Sequence, residues 1–405
     1  SFALSHSPEL PEALSALAAH HRRKHAAAEA DGQAAEAALH RQQLAFYDRG
    51  EHRAWLSGEG ALTLQTYPPG ALVTLHRLSL VDRQLKAGPG KDFGQTPLSA
   101  RLLPMGRYLL RLEHPEREPV TYPVIITRQR HWDGVPPGGQ EPVPVILPPA
   151  GSLGEGDVYV PAGWALLGGD ARLVSPRRWE WVEGFVIRRC PVTNREYLAF
   201  LDALVEAGRE EEALRWVPRA RAGRTGEQGA MVYGRRPDGT FELVPDADGD
   251  LWLPDWPVVL VRGDAGKAYA DWLRAQTGVP WQLPQESWWE KAARGVDGRL
   301  YPWGDHRDAS FANVRDRNPD RPLPEAVGSS AADQSPYGIF DTAGNVREWC
   351  ADRFQTPGNQ QTVRGGCFFF WSDPLYARVG LDPQVAGDTI GFRLAARPSW
   401  LSPLE

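Results

Sequence analysis

Sulfur and carboxylate are the groups to read first, because they decide whether this chain can do redox or metal chemistry. The 405 residues include three cysteines, Cys190, Cys350 and Cys367. They are too few and too scattered for a disulfide framework, and no two stand as CxxC. The ten histidines form no HExxH or comparable metal spacing. Asp246, Asp248 and Asp250 are spaced as at the start of an EF-hand loop, but the sixth position is Leu251 and the twelfth is Pro257. Glycine and glutamate are needed there, so a solvated turn is expected. The most unusual group is aromatic: Phe368, Phe369, Phe370 and Trp371 stand in a row. Successive strand residues face opposite sides, so four large aromatics in sequence cannot all enter one core. At least one or two are expected to face solvent or a cleft, where a phenyl buried on binding contributes about 1.5–3 kcal/mol.

The background is that of an ordinary globular protein, 42% hydrophobic and 24% charged, long enough for two or three domains. A net charge of -6 and a pI near 6.0 offer no basic stripe for nucleic acid or anionic membrane. No run approaches the roughly 18 apolar residues of a membrane span, and SFALSHSPELPE lacks a signal pattern, so a cytoplasmic setting is expected. Because the first residue is Ser rather than Met, the chain is read as a fragment or processed product. Arg outnumbers Lys by 40 to 5, which suggests a GC-rich genome, and scarce Cys and Met suit a thermophile.

The elements that would carry such groups change character along the chain. Residues 1–56 are expected to be a helical segment: positions 11–48 are rich in Ala, Leu, Glu and Gln, Pro11 suits a first turn, Gly32 breaks the run in two, and Gly50 stops it. His20, His21 and His25 with Arg22, Arg23 and Lys24 are expected to form a solvated cationic face. Residues 57–150 alternate apolar and polar around Pro68-Pro69-Gly70, and again around Met105-Gly106, the pattern of strands joined by turns. PPGALV and GQTPL…MGRYLLRLEHP resemble the small β-sandwich modules called PEGA domains, which commonly follow bacterial Ser/Thr kinase domains. The region holds no catalytic grouping and is read as a spacer or docking module. A Pro- and Gly-rich boundary follows over 143–157.

From Val158 the blocks VPAGWALLGGD, FVIRRCPVTNREYLAFLDAL, WPVVLVRGDAGKAYADWLRAQTG, SPYGIFDTAGNVREWCAD, VRGGCFFFW and IGFRLAAR appear in that order. Thr193 or Asn194 can cap a helix whose apolar face includes Tyr197, Leu198, Leu201 and Leu204. Gly278 is a helix stop, and IGFRLA reads as a core strand with Ile390, Phe392 and Leu394 on one face. Arg393 is placed to hold an ion pair with a buried carboxylate. The series closely resembles the formylglycine-generating enzyme (sulfatase-modifying factor) family over about 240 residues. The resemblance implies an α+β chain: a C-type lectin-like domain at 151–405, preceded by the helical segment and a small antiparallel β-sandwich. Sixteen tryptophans suit a loop-rich domain that relies on aromatic anchors.

Enzymes of that family hold copper(I) between two cysteines and oxidise a substrate cysteine, chemistry that needs soft thiolates. The matching positions here are Phe370 and Leu375. Cys367 directly follows GG, where the family has Ser, and Cys350 ends EWC, where many members have a small residue. Neither occupies a catalytic position, so no catalytic residue and no oxidase activity are expected. An iron-dependent branch of the family uses a histidine-bearing helical domain, whose spacing the N-terminal histidines lack. No cofactor is required. The resemblance does imply a structural calcium (or magnesium) at Asp341, Gly344, Val346 and Glu348, where hard oxygen ligands suit such an ion; the alternative is that the carboxylates only cap or pair locally.

The segment 367–389, bracketed by RGGC and IGFR, also resembles the variable region of diversity-generating retroelement proteins. Those proteins use the same lectin-type domain. The residue types between Cys367 and Thr389 include Phe, Ser, Asp, Leu, Tyr, Val, Gly and Ala, all reachable from an Asn codon by changing its first two bases; Trp371 and Gln384 are exceptions. The resemblance implies a non-catalytic display protein with Phe368, Phe369, Phe370, Trp371, Ser372, Asp373, Leu375, Tyr376, Val379, Leu381, Asp382, Val385 and Asp388 contacting an unidentified ligand. A protein surface is the expected partner, with no role for nucleic acid or membrane. Two other readings stay open: the sensory tail of a bacterial Ser/Thr kinase whose kinase domain lies upstream, and a copper-dependent oxidase.

Overall fold

The computed structural model describes residues 11–169, 175–220, 229–245, 249–354, 358–370 and 373–401. Trp371, Ser372, Asp246 and Asp248 lie outside them. The chain divides into two compact units, one of Ser1–Thr63, Ser99–Gly106 and Ile126–Asp133, the other of Leu64–Leu98, Arg107–Ile125 and Gly134–Glu405. The expected boundaries at 56/57 and 150/151 mark changes of composition, whereas the units part within the β region.

In the first unit, α1 (Pro11–Ala30) and α2 (Ala34–Tyr47) are separated at Gly32, whose φ of 69° suits the break expected there. Small and aliphatic residues line their seam: Leu14, Ala18, Ala28, Ala37 and Leu44 are buried. A short α3 (Arg53–Ser57) follows. His25, expected on a solvated face, is instead interior. Its ring accepts from Trp55 Nε1 at 3.2 Å, and one turn on Glu29 pairs with Arg128 at 2.8 Å. The amphipathic imidazole fills the seam while Arg22, Arg23 and Lys24 stay out. Strand Glu59–Leu64 alternates as expected, burying Gly60, Leu62 and Leu64, and lies between strands Leu98–Pro104 and His131–Trp132.

In the second unit, strand Leu72–Val81 pairs antiparallel with Gln84–Ala87, Lys91–Gln95 and Gly106–Glu113, and Val120–Ile126 completes a five-stranded sheet. The turns at Pro68-Pro69-Gly70 and Met105-Gly106 do not close hairpins, because the strands on either side belong to different sheets.

The remainder of this unit is the loop-rich α+β domain expected. Its helices are α4 (Asn194–Glu206), α5 (Glu210–Trp216), α6 (Gly263–Thr277) and α7 (Glu286–Arg294). Thr193 caps α4 in a reciprocal box: its hydroxyl accepts from Glu196 N at 3.2 Å, and Glu196 Oε2 accepts from Thr193 N at 2.8 Å. Such a cap contributes about 1 kcal/mol. Gly278 ends α6 in the left-handed conformation. One four-stranded sheet runs Asp157–Val160, Phe185–Arg188, Ala395–Ala396, Trp281–Gln282; the other runs Arg378–Leu381, Gln361–Arg364, Arg347–Arg353, Ile390–Gly391. IGFRLA therefore passes from one sheet to the other, with both its faces buried.

Nearly all of α7 is interior, its charged residues included. Lys291 donates to the carbonyls of Pro161, Gly163 and Val182 at 2.7, 3.0 and 3.2 Å, and Trp288 stacks on Phe185 at 4.9 Å. Ring pairs of this kind, with Trp303 on Tyr301 at 5.0 Å, anchor loops that have few ladder hydrogen bonds. Among the described residues no helix is long and apolar enough to cross a membrane.

Candidate functional site

Strand Gln361–Arg364 delivers the chain into Gly365 and Gly366, which press against the loop carrying Ala343 and Asn345. A Cβ on Gly366 would collide with the Ala343 carbonyl. Gly366 N donates to Thr342 O at 3.1 Å and Phe368 N to Asn345 O at 2.9 Å. Asn345 adopts a φ of 65°, which asparagine tolerates better than most residues. It also ties in a third loop: Oδ1 accepts from Glu325 N at 3.0 Å and Nδ2 donates to Glu325 O at 3.1 Å. Sequence reasoning passed over Asn345, although a polar residue after glycine in DTAGN is a turn signal.

Beyond this clamp the aromatics part. Phe368 points inward, 6% exposed, whereas Phe369 and Phe370 are 42% and 43% exposed. The two outer rings meet edge to face at 5.5 Å. Each is backed by a cation: Arg315 lies 5.4 Å from the Phe369 ring centre and Arg347 lies 4.9 Å from that of Phe370. Asp373 is exposed and 3.6 Å from Arg347. Leu375, 1% exposed, is part of the core and is held there by its N–H to Leu300 O at 2.8 Å. The expectation that Phe368 and Leu375 contact a ligand is therefore corrected, since both fill interior space behind the surface. Tyr376 is half-buried under Arg294, Val379 and Leu381 are half-buried on strand Arg378–Leu381, and Asp382 and Asp388 are exposed. Val385 is half-buried and lines a cavity with Gln384 and Ala386.

The thiols are poor candidates for chemistry. Cys350 and Cys367 are buried, and burial pushes both thiols up, Cys350 strongly. Burial also raises half-buried Cys190 to about 12. All three thiols are therefore protonated at neutral pH, the unreactive form.

Of the four residues expected to hold calcium, Glu348 is not open to the ion. Glu348 has both carboxylate oxygens taken: Arg393 Nε donates to Oε2 at 2.6 Å, Arg393 Nη2 to Oε1 at 2.7 Å, and Trp289 Nε1 to Oε2 at 2.9 Å. Asp341 Oδ2 accepts from Gly328 N at 2.8 Å, and burial raises its carboxyl to about 6. Val346 is core. Among the described residues no group of three or more His, Cys, Asp or Glu is arranged to hold a metal. A second buried network also went unread: Arg364 donates to Glu290 at 2.6 Å and to Glu286 at 3.3 Å, and Glu290 also pairs with Arg294.

A family model, the sulfatase-modifying factor enzyme 1-like domain, matches residues 147–398. The chain belongs to this family. Among its relatives, the mouse protein named inactive C-alpha-formylglycine-generating enzyme 2 is 28% identical over 274 residues, covering 59% of this chain and 85% of that protein. Serine/threonine-protein kinase Pkn1 of Chlamydia trachomatis is 27% identical over 234 residues, covering 52% of this chain and 33% of the kinase. Among solved structures, Treponema denticola variable protein 1 aligns with a TM-score of 0.44 at 19% identity, covering 60% of this chain and 95% of that one. The sulfatase-modifying-factor domain thus accounts for the α+β region, and the blocks from VPAGW to IGFRLAAR lie within the match.

Proposed function

We propose that this chain is a non-catalytic binding protein of the sulfatase-modifying factor family, whose contact surface is built by the segment between RGGC and IGFR, and that this segment is the variable region of a diversity-generating retroelement protein. The observation that carries this reading is the outward pair Phe369 and Phe370, each exposed by about two fifths and each backed by an arginine rather than by core. Two adjacent phenyls held in water by a tight glycine clamp are costly unless something covers them. Aromatic residues and arginine are what interfaces use as anchors. Asp373, Asp382 and Asp388 supply a polar rim, and a protein surface is the partner such a broad face fits. The buried, protonated thiols weigh against copper chemistry, and a family member named as inactive shows that the family extends beyond catalysis. The test is genetic: in related genomes, substitutions should concentrate in codons 368–389 at template adenines, beside a reverse transcriptase gene and an Asn-rich template copy. Uniform variation along the gene, with no such neighbour, would remove the retroelement reading.

A second reading has one observation in its favour, the match to a chlamydial kinase that spans only a third of that protein. On that reading the domain is the sensory part of a longer kinase, and a kinase reading frame joined upstream of Ser1 would establish it.

A further inference from the structure

Away from the exposed phenylalanines, the end of α5, the start of α6 and residues 384–386 enclose a cavity of about 350 Å³. Its polar wall is cationic. Arg215, Arg219 and Arg262 line it together with Gln384, and among the described residues no Asp or Glu does. Arg215 and Arg262 flank Trp216, with guanidinium carbons 4.6 and 5.5 Å from the ring centre. Arg219 spends its donors on the backbone, at Gly229 O (3.1 Å) and Leu214 O (3.4 Å). Arg262 is only partly satisfied: Nη1 donates to Gln384 at 3.1 Å and Nε faces Asp264 at 3.1 Å, while Nη2 is buried with no hydrogen-bond partner. A buried guanidinium N–H without an acceptor is costly, and Arg262 is the arginine of this cavity that has one. The rest of the lining is apolar: Val217, Leu260, Val261 and Val385.

From this we infer that the cavity is a binding site for an organic carboxylate with an apolar body of amino-acid size, as at the end of a peptide chain. The carboxylate answers the open Nη2 donor of Arg262, whose Nε side is paired with Asp264, and faces the guanidinium groups of Arg215 and Arg219. The hydrocarbon walls favour a ligand that brings apolar surface with its charge, which inorganic phosphate does not. The volume limits that body to one or two small residues. The cavity shares residues 384–386 with the segment between RGGC and IGFR but includes neither Phe369 nor Phe370, so its ligand is tested separately from theirs.

Isothermal titration calorimetry of the full chain tests this with three probes: N-acetyl-leucine, its amide N-acetyl-leucinamide, and inorganic phosphate. The acid is expected to bind saturably, and the amide and phosphate at least about tenfold more weakly. Arg262→Gln should weaken acid binding by a similar factor. Should that variant unfold, exposed Arg215→Gln and Val385→Asp replace it; both should weaken the acid while leaving thermal unfolding unchanged. Equal binding of acid and amide, phosphate binding as tight as the acid, or no saturable heat from the acid at millimolar concentration would each overturn the proposal.

Discussion

Arg393 and Glu348 form a closed pair in the interior, joined by two hydrogen bonds of 2.6 and 2.7 Å with neither side chain reaching solvent. The arginine reaches further, donating to Phe340 O at 2.7 Å and Arg189 O at 3.0 Å. It thereby ties the strand Arg347–Arg353 to the loops around both sheets. Removing one member leaves the other charge buried and alone, which costs about 3–5 kcal/mol. Glu348→Gln should lower unfolding stability by that order in urea denaturation, while Glu348→Leu with Arg393→Met should recover much of it. A loss below about 1 kcal/mol in the single variant would mean the pair is not closed as described.

The same pair bears on metal. With both Glu348 oxygens occupied and Asp341 Oδ2 engaged with Gly328, three of the four carboxylate oxygens at this block are already taken. Chelator should leave the melting temperature unchanged, and added calcium should not raise it. A rise that grows with calcium concentration, as mass action requires of a ligand of the native state, would show that the ion is bound.

Asp333 gives the protein a pH dependence. Burial first, and then neighbouring Asp341, raise its carboxyl to about 7, against the opposing N–H groups of Thr342 and Ala343. Its unfolded value is near 3.8. Between the two the folded state holds a proton that the unfolded state has released, so this group's contribution is complete below about pH 4 and is lost as pH rises toward 7. Asp341, raised to about 6, acts in the same direction. Asp333→Asn should flatten the decline, on the order of a few kcal/mol, in denaturation measured across that range. An unchanged slope would assign the pH dependence elsewhere.

The aromatic run divides into core and surface, and stability measurements separate them. Phe368→Ala should destabilise by about 3–5 kcal/mol. Phe369→Ala and Phe370→Ala should each stay within about 0.5 kcal/mol of the parent. Large losses in the outer pair would make them packing residues and remove the surface on which binding is proposed.

Local signals were legible in the sequence and distant ones were not. The Thr193 cap, the Gly278 stop, the break at Gly32 and an arginine–carboxylate pair at Arg393 all follow from short-range pattern or from one charge in an apolar strand. That at least one or two of the aromatics turn outward follows from counting faces. That Phe369 and Phe370, rather than Phe368, are outward could not be read, because the GG clamp against Ala343 sets the phase. Leu375 is drawn inside by Leu300, 75 residues earlier. Glu290 and Arg294 stand one helical turn apart, as an exposed surface pair would, and only Arg364, far along the chain, shows that they are interior. Glu348 looked like a metal ligand because its partner Arg393 lies 45 residues away.

The reading that this family member binds rather than oxidises is tested most directly by copper(I). The protein, loaded with one equivalent under reducing conditions and passed over a competing chelator, should retain no copper and should consume no oxygen with a cysteine-containing peptide. Stoichiometric copper retained by the parent and lost in Cys350→Ser or Cys367→Ser, together with oxidation of the peptide, would contradict it.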